Sequence, residues 1–536
     1  MKHYRDEADV IEINGHGLTL RNVYDIVISN AECKLSEGAK RKMAKSRELV
    51  ERFENNGRVI YGINTGFGPL SGTRISKEDL EQHQINLFHH LCCGQGSLFS
   101  HSETRAIMVA RANALARGFS GIRSEVVDNI IKALEVNLLP EIPSEGSVGA
   151  SGDLIPLAHM ARVFAGFGWA SYKGQRLSAQ EALSKAGLKP IRMKSKEGLA
   201  LVNGTSAMTG LMCLSVVESQ KLLNTLEFLS ACLIQVMFAE PEVLCEQLHR
   251  ARGHRGQATV AGRMTEYLLK NDRYACEIRE HRWGAREKPV RAGVEIQDAY
   301  SIRCVPQILG ACQDVIWHVE QVVTRELNAS TDNPLIFPET ETVLHGGNFY
   351  GQQISFASDY LRLSIIKMLL LAERQIDRLL NWRYSQGLSP MLTAAEPGLN
   401  SGMAGCQLLC TSLAAEARMM GSPASIQSIP TNGNNQDIVS MGLTGAKYTQ
   451  RVLPMAWKIA AVEAMALVQA ADCRGDSSVM GEGYKKMWSL IRSVFPKLIE
   501  DRPLHQEIEQ VTELIKSDEF QAELISEPFP NPWSFY

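Results

Sequence analysis

The chain lacks a strong charge of either sign and a hydrophobic run of membrane-spanning length. Its 56 basic and 59 acidic side chains leave a formal net charge of −3. Such a balance offers no basic surface for nucleic acid or an anionic membrane, so we expect neither partner. The most apolar stretch, residues 459–471, is too short to span a bilayer and contains Glu463 and Gln469. The polar start does not resemble a secretory signal, and we expect a cytoplasmic protein.

Cysteine pairing patterns are also missing. The twelve cysteines are scattered, and no Cys-x-x-Cys pair occurs. In a long chain without an export signal we expect them to be reduced, mostly buried side chains. Zinc-type spacing and a helical His-Glu-x-x-His pattern are absent, so no metal is expected.

Strand-like alternation is scarce, whereas apolar residues repeat at helical spacing through most of the chain. After residue 205 the helical patterns become much longer and several are apolar on more than one face, as in a bundle or an oligomer. The longest are predicted at residues 206–239, 295–329, 351–383, 400–418 and 437–473. We predict a mainly α fold with a loop-rich N-terminal domain over residues 1–205 and a bundle of long helices over residues 206–536.

The most informative motif is Gly149-Ala150-Ser151-Gly152-Asp153, which stands just before an apolar helical pattern. Glycine tolerates backbone angles that other residues avoid, so the run can fold tightly on itself. Taken alone, it would be explained by Asp153 acting as a helix cap. It is accompanied by six further motifs rich in polar residues and glycine, at 61–68, 201–205, 297–303, 332–334, 345–349 and 434–437.

In content and order these motifs resemble the aromatic amino acid ammonia-lyases and aminomutases. The resemblance covers nearly the whole chain and implies a histidine ammonia-lyase-like fold whose N-terminal domain carries the electrophile. In that family an Ala-Ser-Gly tripeptide cyclises and loses water to form 4-methylidene-imidazol-5-one. The resemblance therefore implies that Ala150, Ser151 and Gly152 supply the cofactor, with no external one.

The resemblance also assigns the catalytic side chains. Tyr61 is the expected base, and a phenol acts as one only when neighbouring charge or hydrogen bonds favour its ionised form. Asn203 and Tyr300 are expected to hydrogen-bond around the electrophile. Arg303 is expected to grip the substrate carboxylate with two parallel hydrogen bonds, assisted by Asn333. Tyr300 and Arg303 are three residues apart on a predicted helix and so share a face.

The pair His90-Leu91 matches the family's selectivity segment. Histidine-specific lyases tend to carry Ser-His there, phenylalanine lyases Phe-Leu and bacterial tyrosine lyases His-Leu. A histidine can hydrogen-bond a para-hydroxyl group. Gln436 stands where histidine lyases tend to have glutamate, and its neutral amide favours an aromatic ring that is not basic. Asn432 and Asn435 are expected to contribute to the same substrate site.

The sequence therefore predicts deamination of L-tyrosine to trans-4-coumarate and ammonia, with weaker activity on L-phenylalanine, by a homotetramer. A tyrosine or phenylalanine 2,3-aminomutase remains an alternative, because lyases and mutases share these residues and differ in product release. A serine hydrolase built on Ser151 lacks the Gly-x-Ser-x-Gly elbow. A non-enzymatic helical scaffold is a distant alternative, since it would not need every polar motif. The effect of Tyr350 on the pocket is left open.

Overall fold

The computed structural model describes residues 10–279 and 297–524, which form helices with a few short strands. The predicted mainly α fold is confirmed. The backbone divides into two compact units. The first contains the described residues up to 217 together with 319–359 and 423–450, and the second contains 218–318, 360–422 and the described residues from 451 onward. The sequence predicted two domains, each continuous in the chain and divided at residues 205/206. Each unit of the structure instead consists of three separate segments of the chain.

The first unit holds eight helices that lie wholly within it and all the strands of the described chain. Its helices are α1 Leu20–Ile28, α2 Glu37–Asn55, α3 Leu80–Leu91, α4 His101–Ala116, α5 Ser124–Glu135, α6 Leu154–Phe164, α7 Ala179–Lys185 and α8 Glu197–Val202, with a 3-10 turn at Gly68–Leu70. Its strands are β1 Ile11–Ile13, β2 Cys33–Leu35, β3 Gln95–Leu98, β4 Leu138–Pro140, β5 Pro143–Glu145, β6 Trp169–Tyr172, β7 Gln175–Ser178, β8 Leu335–Phe337 and β9 Thr342–Leu344.

These strands make four small sheets rather than a central one. Strand β1 pairs with β2 in parallel, β3 pairs with β5 antiparallel, and β8 and β9 form a hairpin. Strand β6 lies between β4 and β7 in an antiparallel sheet, with Leu139 opposite Ser171 and Ala170 opposite Leu177. The helices therefore provide the core, and the short strands lie in the segments between helices.

Four long helices contribute residues to both units. The four are α9 Ser206–Val236, α14 Val305–Leu327, α15 Gln352–Leu380 and α17 Gly442–Arg474. The helices not yet named belong to the second unit alone. The second unit adds α10 Glu246–Arg252, α11 Arg255–Leu269, α12 Asp272–Arg279, α13 Tyr300–Arg303, α16 Ala404–Met419, α18 Glu482–Arg492, α19 His505–Lys516 and α20 Asp518–Leu524. It also contains 3-10 turns at Pro241–Leu244, Pro390–Leu392 and Ser477–Val479.

Helix α17 is the one helix of the described chain with the length and hydropathy of a membrane span. Of its most apolar window, 83% is buried inside the protein. A core helix of a large protein has the same composition, so this helix is weak support for a membrane protein.

The helix predicted over residues 295–329 is interrupted. Helix α13 ends at Arg303, and α14 begins at Val305. Pro306, which lacks a backbone N–H, stands in the first turn of α14, where a proline is tolerated but cannot continue a preceding helix. Residues 295 and 296 lie outside the described residues.

Helix α4 begins where a capping box forms and then runs through the core. Ser100 Oγ accepts a hydrogen bond from Glu103 N at 3.2 Å, and the Glu103 carboxylate accepts one from Ser100 N at 2.7 Å. From Thr104 to Ala116 the helix is buried on all sides. A polar residue on such a helix has no solvent to face, so it must find partners inside the protein.

Helix α6 carries a buried histidine that connects it to the end of α3. His159 is 4% exposed, and its Nε2 accepts a hydrogen bond from Gly94 N at 3.3 Å. Within the described chain, Nδ1 is buried without a hydrogen-bond partner. Burial, reinforced by nearby Arg162, lowers the pKa of His159 to about 4. The folded protein therefore holds this imidazole neutral.

We predict that replacing His159 with glutamine makes the free energy of unfolding fall less as the pH is lowered. The unfolded chain binds a proton here below a pH of about 6.5, whereas the folded protein does so only near pH 4, so the free energy of unfolding falls between these values. The fall from this one group is on the order of 3 kcal/mol. Glutamine can still accept from Gly94 N and does not titrate.

The measurement is the thermal unfolding midpoint from pH 4.5 to 7.5 for the wild type, His159→Gln and the control His505→Gln, which alters an exposed histidine. His159→Gln should show the flattest decline. Parallel curves for all three proteins would contradict the prediction.

Candidate active site

The glycines on either side of Ala150 and Ser151 adopt backbone angles that suit glycine alone. Gly149 has φ +69° and Gly152 has φ +73°. A Cβ on Gly149 would lie 2.3 Å from Ser440 Oγ, and one on Gly152 would lie 2.1 Å from Gly204 O. Both contacts are far inside van der Waals distance, so neither position accepts a side chain without displacing its neighbours. The backbone also bridges Gly149 to Gly152 and Gly152 to Gly204, which folds the loop tightly on itself.

Ser151, at the centre of this loop, is held by three donors. Its carbonyl oxygen accepts from Asn203 Nδ2 at 2.9 Å and from Gly204 N at 3.3 Å. Its hydroxyl oxygen accepts from Gln436 Nε2 at 3.2 Å. The side chain is half-buried, so Ser151 is both fixed and accessible.

The loop fits the cyclised group that the sequence resemblance implies. Ring closure needs a glycine nitrogen without an obstructing side chain, and Gly152 meets that need in a cradle that a Cβ would fill. The encoded tripeptide is the species described here, and its Ser151 hydroxyl would leave as water. The bond from Gln436 to that hydroxyl therefore belongs to the precursor, and cyclisation would free the amide.

Asp153 fastens the loop to the start of α9. Its carboxylate accepts from Met208 N at 2.8 Å and from Ser147 Oγ at 3.0 Å, and its own N–H donates to Gly204 O at 2.7 Å. The carboxylate thus caps α9 rather than α6, the helix that it precedes. Burial raises the pKa of Asp153 to about 7, although its hydrogen bonds oppose the shift.

A fully buried arginine lies behind Asn203. Arg111, on α4, donates from Nη1 to Asn203 O at 3.0 Å and to Ser206 Oγ at 3.4 Å. Burial lowers the pKa of Arg111 to about 10, with Asp332 and Asp153 opposing, so the side chain remains charged at neutral pH. Within the described chain its Nε and Nη2 atoms have no hydrogen-bond partner. A positive charge therefore lies close to the Ala-Ser-Gly loop and is fully buried.

A buried ion pair holds the segment that leads into Asn333. Lys196 Nζ lies 2.8 Å from Asp332 Oδ2, and the two side chains are 0% and 1% exposed. Ser120 Oγ donates to the other carboxylate oxygen at 3.0 Å. Such a pair costs desolvation energy. It also restricts the movement of the backbone that continues from Asp332 into Asn333.

Asn203 connects this segment to Ser151. Its Oδ1 accepts from Asn333 N at 2.7 Å, while its Nδ2 donates to the Ser151 carbonyl. Asn333 Oδ1 in turn accepts from Gly346 N at 2.8 Å. Next to Gly346, the ring of His345 meets the ring of Tyr61 edge to face, with 6.2 Å between centroids. A continuous series of contacts therefore joins Tyr61 to Ser151.

Tyr61 projects from a loop anchored by buried neighbours. Ile60 and Ile63 belong to an apolar cluster with residues of α2, whereas Tyr61 is half-buried. Gly62, at φ +75°, packs against α8, where a Cβ would lie 2.4 Å from Leu199 Cδ2. The Tyr61 hydroxyl oxygen accepts from Gly68 N at 3.4 Å. This contact fixes the position of the phenol oxygen within the loop.

The turn that contains Asn432, Asn435 and Gln436 lies beside this loop. Thr431 and Gln436 pair through their backbones, and Asn435 N donates to Asn432 O at 3.2 Å. Asn432 and Asn435 are exposed, and a Cβ on Gly68 would lie 3.1 Å from Asn432 Nδ2. Of the three predicted substrate contacts, only Gln436 hydrogen-bonds Ser151 directly.

His90 and Leu91 lie at the end of α3. The His90 ring donates from Nδ1 to Asn86 O at 3.1 Å, because a carbonyl oxygen can only accept. In the neutral ring, Nε2 is then left as an acceptor. Leu91 is half-buried, and His90 is exposed. Nε2 can therefore receive a hydrogen bond from an O–H or N–H group.

Tyr300 and Arg303 belong to the second unit. They stack as their spacing predicts, with the guanidinium carbon 4.7 Å from the Tyr300 ring centroid. Arg303 also donates to Gln297 Oε1. Tyr300 is 68% exposed. The other eleven predicted site residues fall in the first unit.

Sequence reasoning did not assign a role to Arg111, Lys196 or His345. Arg111 had a recognisable signal, a charged residue inside an otherwise apolar helix. His345 belongs to the motif at residues 345–349, but nothing in that motif indicated that its ring would contact Tyr61. Lys196 had no signal that could be read from the sequence.

A tight Ala-Ser-Gly loop held by amide donors, in a mainly helical chain, is the arrangement that the resemblance to the amino acid ammonia-lyases implies. The chain belongs to the aromatic amino acid lyase family. The family model described as aromatic amino acid lyase matches residues 18–493. The family expected from the motifs is thus confirmed.

Similar proteins carry several activities in their names. The chain is 38% identical over 518 residues to a histidine ammonia-lyase of Caldanaerobacter subterraneus subsp. tengcongensis, covering 96% of this chain and 98% of that one. It is similar to a tyrosine aminomutase structure from Streptomyces globisporus, at 35% identity and TM-score 0.90, covering 97% and 99%. A phenylalanine aminomutase structure from Pantoea agglomerans matches at 34% identity and TM-score 0.89, covering 95% and 99%.

Proposed function

We propose that this protein is a tyrosine ammonia-lyase that converts L-tyrosine to trans-4-coumarate and ammonia, and L-phenylalanine more slowly to trans-cinnamate. Ala150, Ser151 and Gly152 form 4-methylidene-imidazol-5-one, and no external cofactor takes part. The observation that carries the proposal is the clamp on Ser151, in which Asn203 holds the carbonyl and the neutral amide of Gln436 holds the hydroxyl.

When formed, the cyclised tripeptide supplies an electrophile that activates the substrate toward loss of its amino group. The chain's own residues do the rest. Tyr61 takes the β-proton, and the N–H of Gly68 holds its hydroxyl oxygen in place. Arg303 binds the substrate carboxylate through two N–H groups, and Asn333 assists it.

Arg111 supports this chemistry from behind the loop. Its buried charge acts through the Asn203 carbonyl, 3.0 Å away, and favours negative charge developing near Ser151. Because the guanidinium is fully buried, the effect is stronger than it would be at the surface. Arg111 is a positioning residue in this scheme and touches no substrate atom.

His90 and Gln436 both favour tyrosine, each against a different competing substrate. The Nε2 of His90 is an acceptor that matches a phenolic O–H. Gln436 offers no negative charge to a basic imidazole ring. Curated relatives are named histidine ammonia-lyases, so L-histidine is the competing substrate that any test must include.

A 2,3-aminomutase is the second candidate, favoured by the likeness to structures named tyrosine and phenylalanine aminomutase. Both activities begin with the same elimination. A mutase returns the amino group to the β-carbon before the acrylate escapes, so the product distinguishes them.

We also propose a cytoplasmic homotetramer with no nucleic-acid or membrane partner. On α16, Leu408 is 74% exposed and Met419 is 84% exposed. They are eleven residues apart, about three helical turns, and so lie on one face. Tyr360 and Leu363 on α15 are also half-exposed. Large apolar side chains in such numbers are typical of surfaces that another subunit covers.

Replacing Ser151 with alanine should abolish most activity and leave the fold intact, because alanine has no hydroxyl to lose and fits the same space. Peptide mass analysis of the wild type should show the loss of two waters across residues 150–152, and borohydride should inactivate it. The control Ser184→Ala alters an exposed serine on α7 and should match the wild type. An active wild type with an intact tripeptide would end the proposal.

Replacing His90 with phenylalanine should shift the ratio of kcat/KM for tyrosine to phenylalanine by about 10-fold or more, because the buried phenolic hydroxyl loses its partner. Arg303→Lys is the matched control and should impair both substrates alike. Rates are measured with tyrosine, phenylalanine and histidine separately, with product identification. An unchanged ratio contradicts the role of His90, preferred turnover of histidine contradicts the substrate, and release of chiefly β-tyrosine establishes the mutase.

Placing a charge on the exposed face of α16 should dissociate the tetramer. Met419→Glu buries a carboxylate in the proposed interface, at a cost of several kcal/mol per ion. The control Ala44→Glu puts the same charge on an exposed position of α2. Light scattering should show a tetramer for the wild type and the control and smaller species for Met419→Glu. An active wild-type monomer would contradict the assembly.

A further inference from the structure

A second histidine on α3 contacts the loop that carries Tyr61. His83 lies seven residues before His90, two helical turns along the same face. Its ring stacks on Phe67, with 4.3 Å between centroids and 8° between planes. Its Nε2 lies 3.1 Å from the carbonyl oxygen of Thr65. One side chain therefore holds the loop by an aromatic face and by a hydrogen bond.

The direction of that hydrogen bond follows from its acceptor. A carbonyl oxygen cannot donate, so Nε2 of His83 must carry the proton. Burial lowers the pKa of His83, with the Thr65 contact opposing, so the ring is neutral at physiological pH. The structure therefore specifies a neutral ring protonated on Nε2.

The other hydrogen bonds of residues 61–68 join them to one another or to the flanking segments at 58–60 and 70–75. Gly66 N donates to Thr73 O at 2.8 Å, and Gly62 N donates to Thr65 Oγ1 at 3.3 Å. These bonds maintain the shape of the loop without fastening it to a neighbouring helix. In the described chain, His83 supplies the hydrogen bond that ties residues 61–68 to α3.

The contacts of His83 with the loop lie close to the Tyr61 hydroxyl. Phe67, which stacks on His83, immediately precedes Gly68, whose N–H donates to that hydroxyl at 3.4 Å. A shift of Phe67 would move the donor and weaken its contact with the phenol. The position of the base therefore depends on a residue that does not touch it.

We propose that His83 is a positioning residue which, by stacking on Phe67 and donating to Thr65, fixes the loop so that Tyr61 is placed for proton removal. The proposal rests on Tyr61 being the base. Substrate binding does not depend on His83, so losing it lowers kcat and leaves KM nearly unchanged.

Three substitutions separate the two contacts. His83→Phe keeps an aromatic face and removes the donor, His83→Gln keeps an N–H donor and removes the ring, and His83→Leu removes both. We expect kcat to fall about 10-fold for leucine and less for the other two, a graded rescue, with KM within about twofold. Gln82→Leu, at an exposed position one residue away, is the matched control and should retain wild-type values.

A second readout does not depend on the substrate. Amide hydrogen exchange at residues 62–68 should be faster in His83→Leu than in the wild type or Gln82→Leu, while exchange in α6 stays the same. If leucine prevents folding, His83→Gln and His83→Phe carry the test. The kinetic arm uses whichever amino acid the wild type turns over, so a wrong substrate would not affect the result.

Three outcomes would overturn the proposal. Unchanged exchange at residues 62–68 in every His83 variant would show that the side chain does not hold the loop. Loop exchange that rises while kcat stays at the wild-type value would show that the loop's position does not govern the base. A fall in kcat in all three variants alike, with faster exchange throughout α3, would show a role in helix stability alone.

Discussion

The structure of the site depends on the close approach of two backbone segments, Gly152 against Gly204. No Cβ fits at Gly152, so the contact is available to glycine alone. It places Asp153 N on Gly204 O and brings the Ser151 carbonyl within reach of Asn203. It also sets the start of α9, which the Asp153 carboxylate caps. Displacing one segment would therefore disturb the loop, its amide donors and the helix together.

Charge buried around this contact adds a second constraint. Arg111 is wholly enclosed, yet two of its nitrogens have no partner in the described chain, and Lys196 and Asp332 form a fully buried pair. Stability alone does not favour such an arrangement, because apolar residues of similar volume often serve as well or better. Local departures of this kind concentrate at functional sites, where the surrounding core maintains them. The buried helix α4 is that core for Arg111.

The helical class, the order of the motifs and the family could be predicted from the sequence, because periodicity and motif residues are local properties. The contacts between motifs could not. Arg111 and Asn203 are 92 residues apart, and no local pattern announces that they meet. Pro306 explains the break at Cys304. The apolar residues keep their helical spacing across the break, so the pattern predicted one continuous helix. The two units escaped prediction because helices such as α9 and α17 contribute to both.

Identity of 38% to a histidine ammonia-lyase does not decide the substrate, because structures named tyrosine and phenylalanine aminomutase match at 35% and 34% identity. Selectivity depends on the few side chains that meet the ring. The His90 acceptor can receive a phenolic O–H or an imidazole N–H, so it rejects phenylalanine better than histidine. Gln436 is the residue that separates the two polar rings, since a glutamate there would stabilise an imidazolium and an amide does not. The proposed preference for tyrosine thus requires both residues, each excluding a different competitor.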